Sequence, residues 1–339
     1  MRAYGRRWLL ALACGMLAGA TACSGAAAPP PPTRSAAAVS ATPTPSPSLV
    51  AITRAEAGEV FRRIILTDDR LRVKSPLEGR LGLAADLTTG GQTPLSVAAY
   101  LSTGYAPPRH RWGAPTLYVP RFAPGETAPW FSALVTRDGR PALLTFARSD
   151  DWRLSSAAEL LPGQRVPDIA LDAEGYATAL AADDRTVTIS PQFMQPVHAS
   201  VAETGKSGVT AGLVAAGPYT TEIAEQIAEL REKAKADGYS YDSIFSADNF
   251  PVYALRTADG GALIQYSLSR TTTTTTKTAE DDWGIPVPDT ARWAVDPPVR
   301  RSLRLVETHQ FATAVPPIAK AGAAAVIAHD GGLTRASGT

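Results

Sequence analysis

Cysteine is almost absent from this 339-residue sequence, which holds only Cys14 and Cys23. Both lie near the amino terminus, so the rest of the chain has no thiol for a disulfide framework or a thiolate metal site. Histidine is also scarce, with four residues, and no two stand at the short spacing typical of zinc ligands. The sequence therefore predicts no metal site, no disulfide and no cofactor.

The chain also lacks an excess of charge of either sign. Lysine and arginine number 33 against 32 acidic residues, and no basic stripe indicates a nucleic-acid partner. The motifs Gly-x-Ser-x-Gly and His-Glu-x-x-His are missing. Gly205-Lys206-Ser207 is not a phosphate-binding loop, because Ser200 stands where such a loop has its first glycine. No catalytic constellation is evident, and we expect a protein that is not an enzyme.

The amino terminus has the pattern of an export signal. Three arginines in the first seven residues precede an apolar run at 8–18, too short for a lasting membrane span. Small side chains at Ala20-Thr21-Ala22 then precede Cys23, which predicts a signal peptide at 1–22 and lipidation of the Cys23 thiol, with palmitate among the acyl groups. Cys14 is the weaker candidate, because it lies inside the apolar run.

A linker and two α+β units are predicted after the signal. Residues 23–50 are rich in Pro, Ala, Thr and Ser, a composition that cannot bury apolar area and favours a disordered spacer. The remaining length suits two units, which we place at 51–165 and 166–339. Each contains the pattern A-L-x-T-x-D-G, starting at Ala133 and at Ala254, and Asp-Gly between alternating runs predicts a hairpin. A third turn is expected at 329–332.

Helix signals precede strand signals in both units. Thr53 and Glu56 have capping-box spacing before an apolar helical face, and helices are expected near 191–203 and at 221–236. This order predicts an α+β fold, with helices packed on curved antiparallel sheets. The predicted strands are at 116–121, 130–137, 142–149, 152–160, 251–258, 261–276, 301–314, 323–329 and 332–337.

The sequence resembles uncharacterised surface lipoproteins of actinobacteria that carry a C-terminal domain of unknown function. The resemblance is carried by Cys23, the Pro/Thr/Ser-rich linker, APWFSALV at 128, LPGQRVPDIALD at 161 and VYALRTADGGALIQY at 252. It implies a lipid-anchored protein on the extracytoplasmic face of the cell membrane, without an assigned activity. The element order is also similar to tandem NTF2-like or cystatin-like units, an analogy that concerns the fold alone.

The best candidate site lies on the strand predicted at 301–314. Side chains alternate between faces along a strand, so Glu307 and His309 share one face. An acid beside an imidazole can orient a proton or bind a polar ligand, and it can also be a buried pair that satisfies itself. Arg270, on the preceding strand, is suited to an anionic ligand or to a carboxylate partner.

The other candidates lie in loops. Trp283 and Trp293 belong to a long insertion at 279–298, where aromatic side chains either bind a partner or cover one end of the sheet. His110, His198 and His329 are expected to be solvated.

The sequence thus favours a membrane-anchored binding module for a small molecule or an envelope component. Two alternatives stay open. One is a cell-wall-acting hydrolase that uses Glu307 and His309. The other is an accessory protein of a surface assembly, which would expose an apolar patch near Trp283 and Trp293.

Replacing Cys23→Ser is expected to abolish membrane anchoring, because the acylated thiol is lost. Detergent phase partitioning of the chain from a palmitate-labelled actinobacterial host measures this. The matched control Cys14→Ser should stay labelled and membrane-bound, and label retained in Cys23→Ser would contradict the assignment.

Overall fold

An antiparallel sheet joins strands from both halves of the chain. The computed structural model describes residues 50–73, 79–122, 128–247, 250–277 and 284–339. The strands in these ranges are β1 (Thr116–Tyr118), β2 (Pro120–Arg121), β3 (Trp130–Arg137), β4 (Arg140–Arg148), β5 (Trp152–Leu160), β6 (Ala177–Thr178), β7 (Tyr239–Ser246), β8 (Tyr253–Arg256), β9 (Ala262–Thr276), β10 (Ser302–Val315) and β11 (Ala325–Gly338).

Nine of the described strands form this sheet, in the order β1-β3-β4-β5-β11-β10-β9-β7, with β8 also paired to β9. A short parallel pair joins β2 to β6. Both predicted hairpins are present, β3–β4 and β8–β9. At the first turn Asp138 and Gly139 have φ of 53° and 85°, the positive values that a tight Asp-Gly turn requires.

Five helices lie in the described residues: α1 (Arg54–Leu71), α2 (Gly79–Asp86), α3 (Gln92–Ser102), α4 (Pro191–Thr204) and α5 (Thr221–Ala236). The predicted capping box of α1 is confirmed, because the Thr53 hydroxyl accepts from the Glu56 amide and Glu56 in turn accepts from the Thr53 amide. The helices expected near 191–203 and at 221–236 are present as α4 and α5. Helices α2 and α3 and strands β6 and β7 were not predicted.

The helices cover the sheet at two separate cores. In the first half, α1 buries Val60, Phe61 and Ile64 against Phe131 and Phe146. In the second half, α4 and α5 pack on β7, β9 and β10 around a core that includes Met194, Ile227, Ile264, Tyr266 and Phe311. The predicted α+β class, with helices on a large antiparallel sheet, is confirmed.

The two halves of the sheet also pack on each other. Trp130 on β3 contacts Tyr253 on β8, with ring centroids 5.2 Å apart, within a third core. Buried hydrogen bonds cross this core: the Thr145 hydroxyl donates to Gln265 Oε1 at 2.6 Å, and Gln265 Nε2 donates to the Ser132 hydroxyl at 2.7 Å. From Ala262 to Ser269, both faces of β9 are therefore buried, one under helices and the other under the first half of the sheet.

The predicted turn at 329–332 is wrong, because β11 runs unbroken from Ala325 to Gly338. Gly331 pairs directly with His309 on β10. A Cβ at Gly331 would lie 2.7 Å from His309 Nδ1 and 2.9 Å from the Thr308 carbonyl oxygen. Glycine is suited to this position because the His309 side chain lies close to the backbone of residue 331. The glycine does not turn the chain.

The predicted boundary near residue 165 lies in an irregular segment between β5 and β6. Strands from both sides of it share one sheet, and the division into two units stays a prediction. The predicted signal peptide and the predicted linker, up to residue 49, lie outside the described residues.

Gly331→Ala is expected to destabilise the fold by about 1–3 kcal/mol, the usual cost of forcing an atom into a packed site. Gly332→Ala is the matched control, because the nearest atom to its Cβ would be Leu95 Cδ2 at 4.0 Å. Urea unfolding at neutral pH measures both. Equal stability of the two variants would contradict the close approach at Gly331.

Candidate functional site

The predicted pair Glu307 and His309 lies on one face of β10, together with Arg270 of β9. The strand register pairs Glu307 with Arg270, and Arg270 Nη1 lies 3.4 Å from Glu307 Oε2. His309 Nε2 lies 3.9 Å from the same oxygen and has no hydrogen-bond partner among the described residues. Arg270 Nε also donates to the Ser243 hydroxyl at 2.8 Å. Two partners were predicted for Arg270, an anionic ligand or a carboxylate. In the structure Arg270 pairs with a carboxylate, that of Glu307.

Burial by itself raises the pKa of Glu307, but His309 and Arg270 outweigh it, and the pKa lies below its ordinary value. Glu307 is therefore ionised, and the guanidinium of Arg270 compensates its charge. Arg270, Glu307 and His309 thus form a cluster in which the charges of Arg270 and Glu307 are paired. The cluster lies at the edge of the core that α4 and α5 cover.

Two further histidines complete this cluster, and the prediction that they are solvated is wrong. His329 Nε2 lies 3.0 Å from His309 Nδ1, and the His329 ring stacks on Tyr219 with centroids 3.8 Å apart. His198 on α4 is fully buried, with Nδ1 at 2.7 Å from the Tyr266 hydroxyl and Nε2 at 2.7 Å from the Tyr219 carbonyl oxygen. Packing between distant segments assembles them, so spacing along the chain could not indicate the group.

Burial lowers the pKa of His198 to about 4. Burial, together with the nearby His309 and His198, lowers the pKa of His329 to about 3. Both rings are neutral at physiological pH, so Nε2 of His198 donates to the Tyr219 carbonyl and Nδ1 accepts from Tyr266. The facing nitrogens of His309 and His329 form a hydrogen bond in which one of them donates and the other accepts.

A separate cavity of about 940 Å³ lies between the helices of the first half and the sheet. Its walls come from α1, α3, β5 and β11, from the β3–β4 turn and from the loop around residues 289–293. One wall is apolar, formed by Ile64, Ile65, Leu87, Leu95, Ala99 and Leu154. Neither Arg270, Glu307 nor His309 lines this cavity.

Paired charges form another part of the cavity lining. Arg137 Nη2 lies 2.7 Å from Asp330 Oδ2 and 3.8 Å from Glu159 Oε2, and Arg140 Nη1 lies 2.8 Å from Glu159 Oε1. Asp138 accepts from the Arg111 amide at 2.8 Å and contacts His110 Nδ1 at 2.6 Å, which lowers its pKa. Such a wall offers both hydrogen-bond donors and acceptors to a ligand.

Trp293 lines the cavity, half-buried, after the short 3-10 helix Asp289–Ala291. Trp112 lines it as well, from the loop before β1, with its ring edge-on to His110. Trp112 was missed, because nothing in its surrounding sequence signals a site. Trp283 and Cys23 lie outside the described residues.

The cavity residues of α3 were also missed. Gln92, Leu95, Ser96 and Ala99 recur at helical spacing and all face the cavity. This face mixes polar and apolar side chains, so it gives no amphipathic signal, although its period of three and four residues is that of a helix.

Comparison with known proteins places the chain in a family. Residues 49–338 match the model of a domain of unknown function, DUF8094. The chain belongs to this family. It is 33% identical over 264 residues to the uncharacterized lipoprotein SCO6871 of Streptomyces coelicolor, over 72% of this chain and 72% of that protein. No solved structure matches the chain. The predicted resemblance to actinobacterial lipoproteins with a domain of unknown function is confirmed.

In the part of the DUF8094 chain that the structure describes, no cluster of three or more His, Cys, Asp or Glu side chains is arranged to hold a metal ion. None of the described helices combines the length and the apolar character needed to cross a bilayer.

Acid is expected to destabilise the fold before the carboxylates titrate. The unfolded chain binds a proton at His198 below about pH 6.5, whereas the folded chain binds it only near pH 4. The stability that the neutral His198 contributes is thus complete above pH 6.5 and is lost toward pH 4, by on the order of 2–3 kcal/mol for a shift of this size. Urea unfolding from pH 7 to pH 4.5 measures the slope.

His198→Gln is the matched variant, because it retains a donor and an acceptor but does not titrate. It should be less stable at pH 7 and lose less stability on acidification. An equal pH slope in the wild type and in this variant would contradict the buried neutral imidazole.

Proposed function

We propose that this protein is an exported, lipid-anchored binding protein that holds a small ligand in the cavity between α1, α3 and the sheet. The anchor rests on the signal pattern before Cys23 and on the lipoprotein name of the Streptomyces relative. Lipidation of Cys23 would hold the protein at the extracytoplasmic face of the membrane, with the Pro-rich segment as a spacer. The partners are then the membrane, through the lipid, and the ligand.

The cavity is the observation that carries the binding role. Its volume of about 940 Å³ lies near the upper end of the roughly 300–1,000 Å³ typical of small-molecule sites. It also has their usual composition, an apolar wall with polar groups converging from several elements. The finer interpretation of the fold, tandem NTF2-like or cystatin-like units, belongs to this proposal, since such curved sheets often enclose ligands.

The two alternatives have less support. The hydrolase requires Glu307 and His309 to meet a substrate, but they are absent from the cavity lining, and Glu307 is compensated by Arg270. The assembly protein requires an exposed apolar patch at the two tryptophans of the insertion, whereas Trp293 is half-buried in the cavity wall. We therefore propose a non-catalytic role.

Leu95→Trp is expected to abolish ligand binding, because the larger indole projects from α3 into the cavity and obstructs a ligand there. Native mass spectrometry of the full chain from an actinobacterial host measures it, with the wild type expected to carry a small bound mass. Leu83→Trp is the matched control: Leu83 lies on α2, is 57% exposed and is not a lining residue. A bound mass retained in Leu95→Trp, or none in the wild type, would overturn the cavity as the site.

A further inference from the structure

We infer that the ligand of this cavity is a neutral, polyhydroxylated molecule, that is, a saccharide or the sugar part of a glycoside. The inference rests on the proposed function and specifies its ligand class. Three features of the cavity carry it: its arginines are already paired with carboxylates, two indole rings line it, and one buried amide atom of the lining residue Gln92 lacks a partner among the described residues.

The arginines of the cavity wall are already paired and leave no free cation for an anionic ligand. Four arginines and five carboxylates line the cavity, and each of these arginines forms an ion pair with a lining carboxylate. Besides the network of Arg137, the pairs are Arg72 with Asp68 and Arg292 with Asp289, whereas Asp138 contacts the His110 ring. An anion would have to break one of the arginine pairs. A hydroxyl does not, because it accepts from a guanidinium and donates to a carboxylate at the same time.

An acyl chain fits this wall poorly. Arg137 and Glu159 are already largely buried, with side-chain exposures of 15% and 19%. Covering them and Asp330 with hydrocarbon would remove their remaining water without supplying hydrogen bonds, which is unfavourable for charged groups. Sugar hydroxyls can instead supply the hydrogen bonds that this water makes to the charged groups.

The two tryptophans supply the complementary apolar contact. Trp112 and Trp293 come from separate loops and both line the cavity. The π-face of an indole carries negative charge density, and the C–H groups on one face of a pyranose ring are weakly positive. Stacking of these two surfaces buries apolar area on both molecules while the hydroxyls stay free to reach the polar wall.

Gln92 supplies the directional group. Its Nε2 donates to the Ser96 hydroxyl at 3.1 Å, and its buried Oε1 has no partner among the described residues. If the amide is turned over, the unpaired atom is a nitrogen instead of an oxygen. In either orientation one buried polar atom of a residue that lines the cavity lacks a partner among the described residues, and such an atom is costly unless a ligand satisfies it. A hydroxyl can do so in both cases.

The test is calorimetric titration of the full chain in a non-glycosidic detergent. The probes are neutral trisaccharides built from glucose, galactose, mannose, arabinose or N-acetylglucosamine, with a galacturonic acid trimer and palmitate as anionic and apolar comparisons. At least one neutral sugar should bind, and the acid trimer should not. Trp293→Ala should weaken binding about tenfold and Trp293→Phe less, since a smaller aromatic face remains.

Gln92→Leu provides a second variant that retains the side-chain volume and removes the amide. It should weaken sugar binding about three- to tenfold, the loss of one hydrogen bond. Phe193→Ala is the control, because Phe193 lies on α4, is 56% exposed and does not line this cavity. The Phe193→Ala variant should bind the sugar with the affinity of the wild type.

The outcomes separate the two proposals. If palmitate or the acid trimer binds in a Leu95→Trp-sensitive manner and no neutral sugar does, the saccharide inference fails and the binding role stands. If the sugars bind but Trp293→Ala and Gln92→Leu leave the affinity unchanged, they bind elsewhere, and the inference fails as well. If no probe binds and the native chain carries no bound mass, both proposals fail.

Discussion

The carboxamide of Gln310 holds the two halves of the sheet together, because it takes the place of a strand at the edge of β5. That edge pairs with β11 at only two positions, Leu160 with Ala328 and Glu159 with His329. Beyond them, Gln310 Oε1 accepts from the Ala157 amide at 2.8 Å. Gln310 is fully buried, and an unsatisfied strand amide at this depth would cost about 1–3 kcal/mol. Farther along this edge, the Thr89 amide donates to the Leu154 carbonyl oxygen and the Leu154 amide donates to the Leu87 carbonyl oxygen, both at 2.9 Å. Gln310 and the segment at 87–89 thus both pair with the edge of β5 beyond β11.

The parting of β5 from β11 also creates the cavity. Where ladder pairing ends, β5 contributes Leu154 and Ala157 to one wall, and β11 contributes Asp330 and Gly332 to another. Helix α3 contacts both strands and lies over the gap. The same irregularity in the sheet therefore accompanies both the Gln310 bridge and the cavity.

Local patterns predicted the parts of this fold that depend on neighbours in sequence. The capping box of α1, the helix α5, both hairpins and the shared face of Glu307 and His309 follow from spacing alone. The burial of Gln310 does not, because an alternating strand with polar residues on one face normally turns that face to water. The unbroken course of β11 through Gly331 likewise depends on the ring of His309 opposite it, which no window of sequence contains.

The predicted pair and the cavity meet at this glycine. Gly331 lines the cavity and pairs with His309, whose ring takes the space that a side chain at 331 would need. His309 is itself held between Glu307 and His329. The residue before Gly331, Asp330, forms an ion pair with Arg137 in the charged part of the cavity lining. The buried cluster that contains Glu307 and His309 is thus joined through Gly331 to the strand that forms part of the cavity lining.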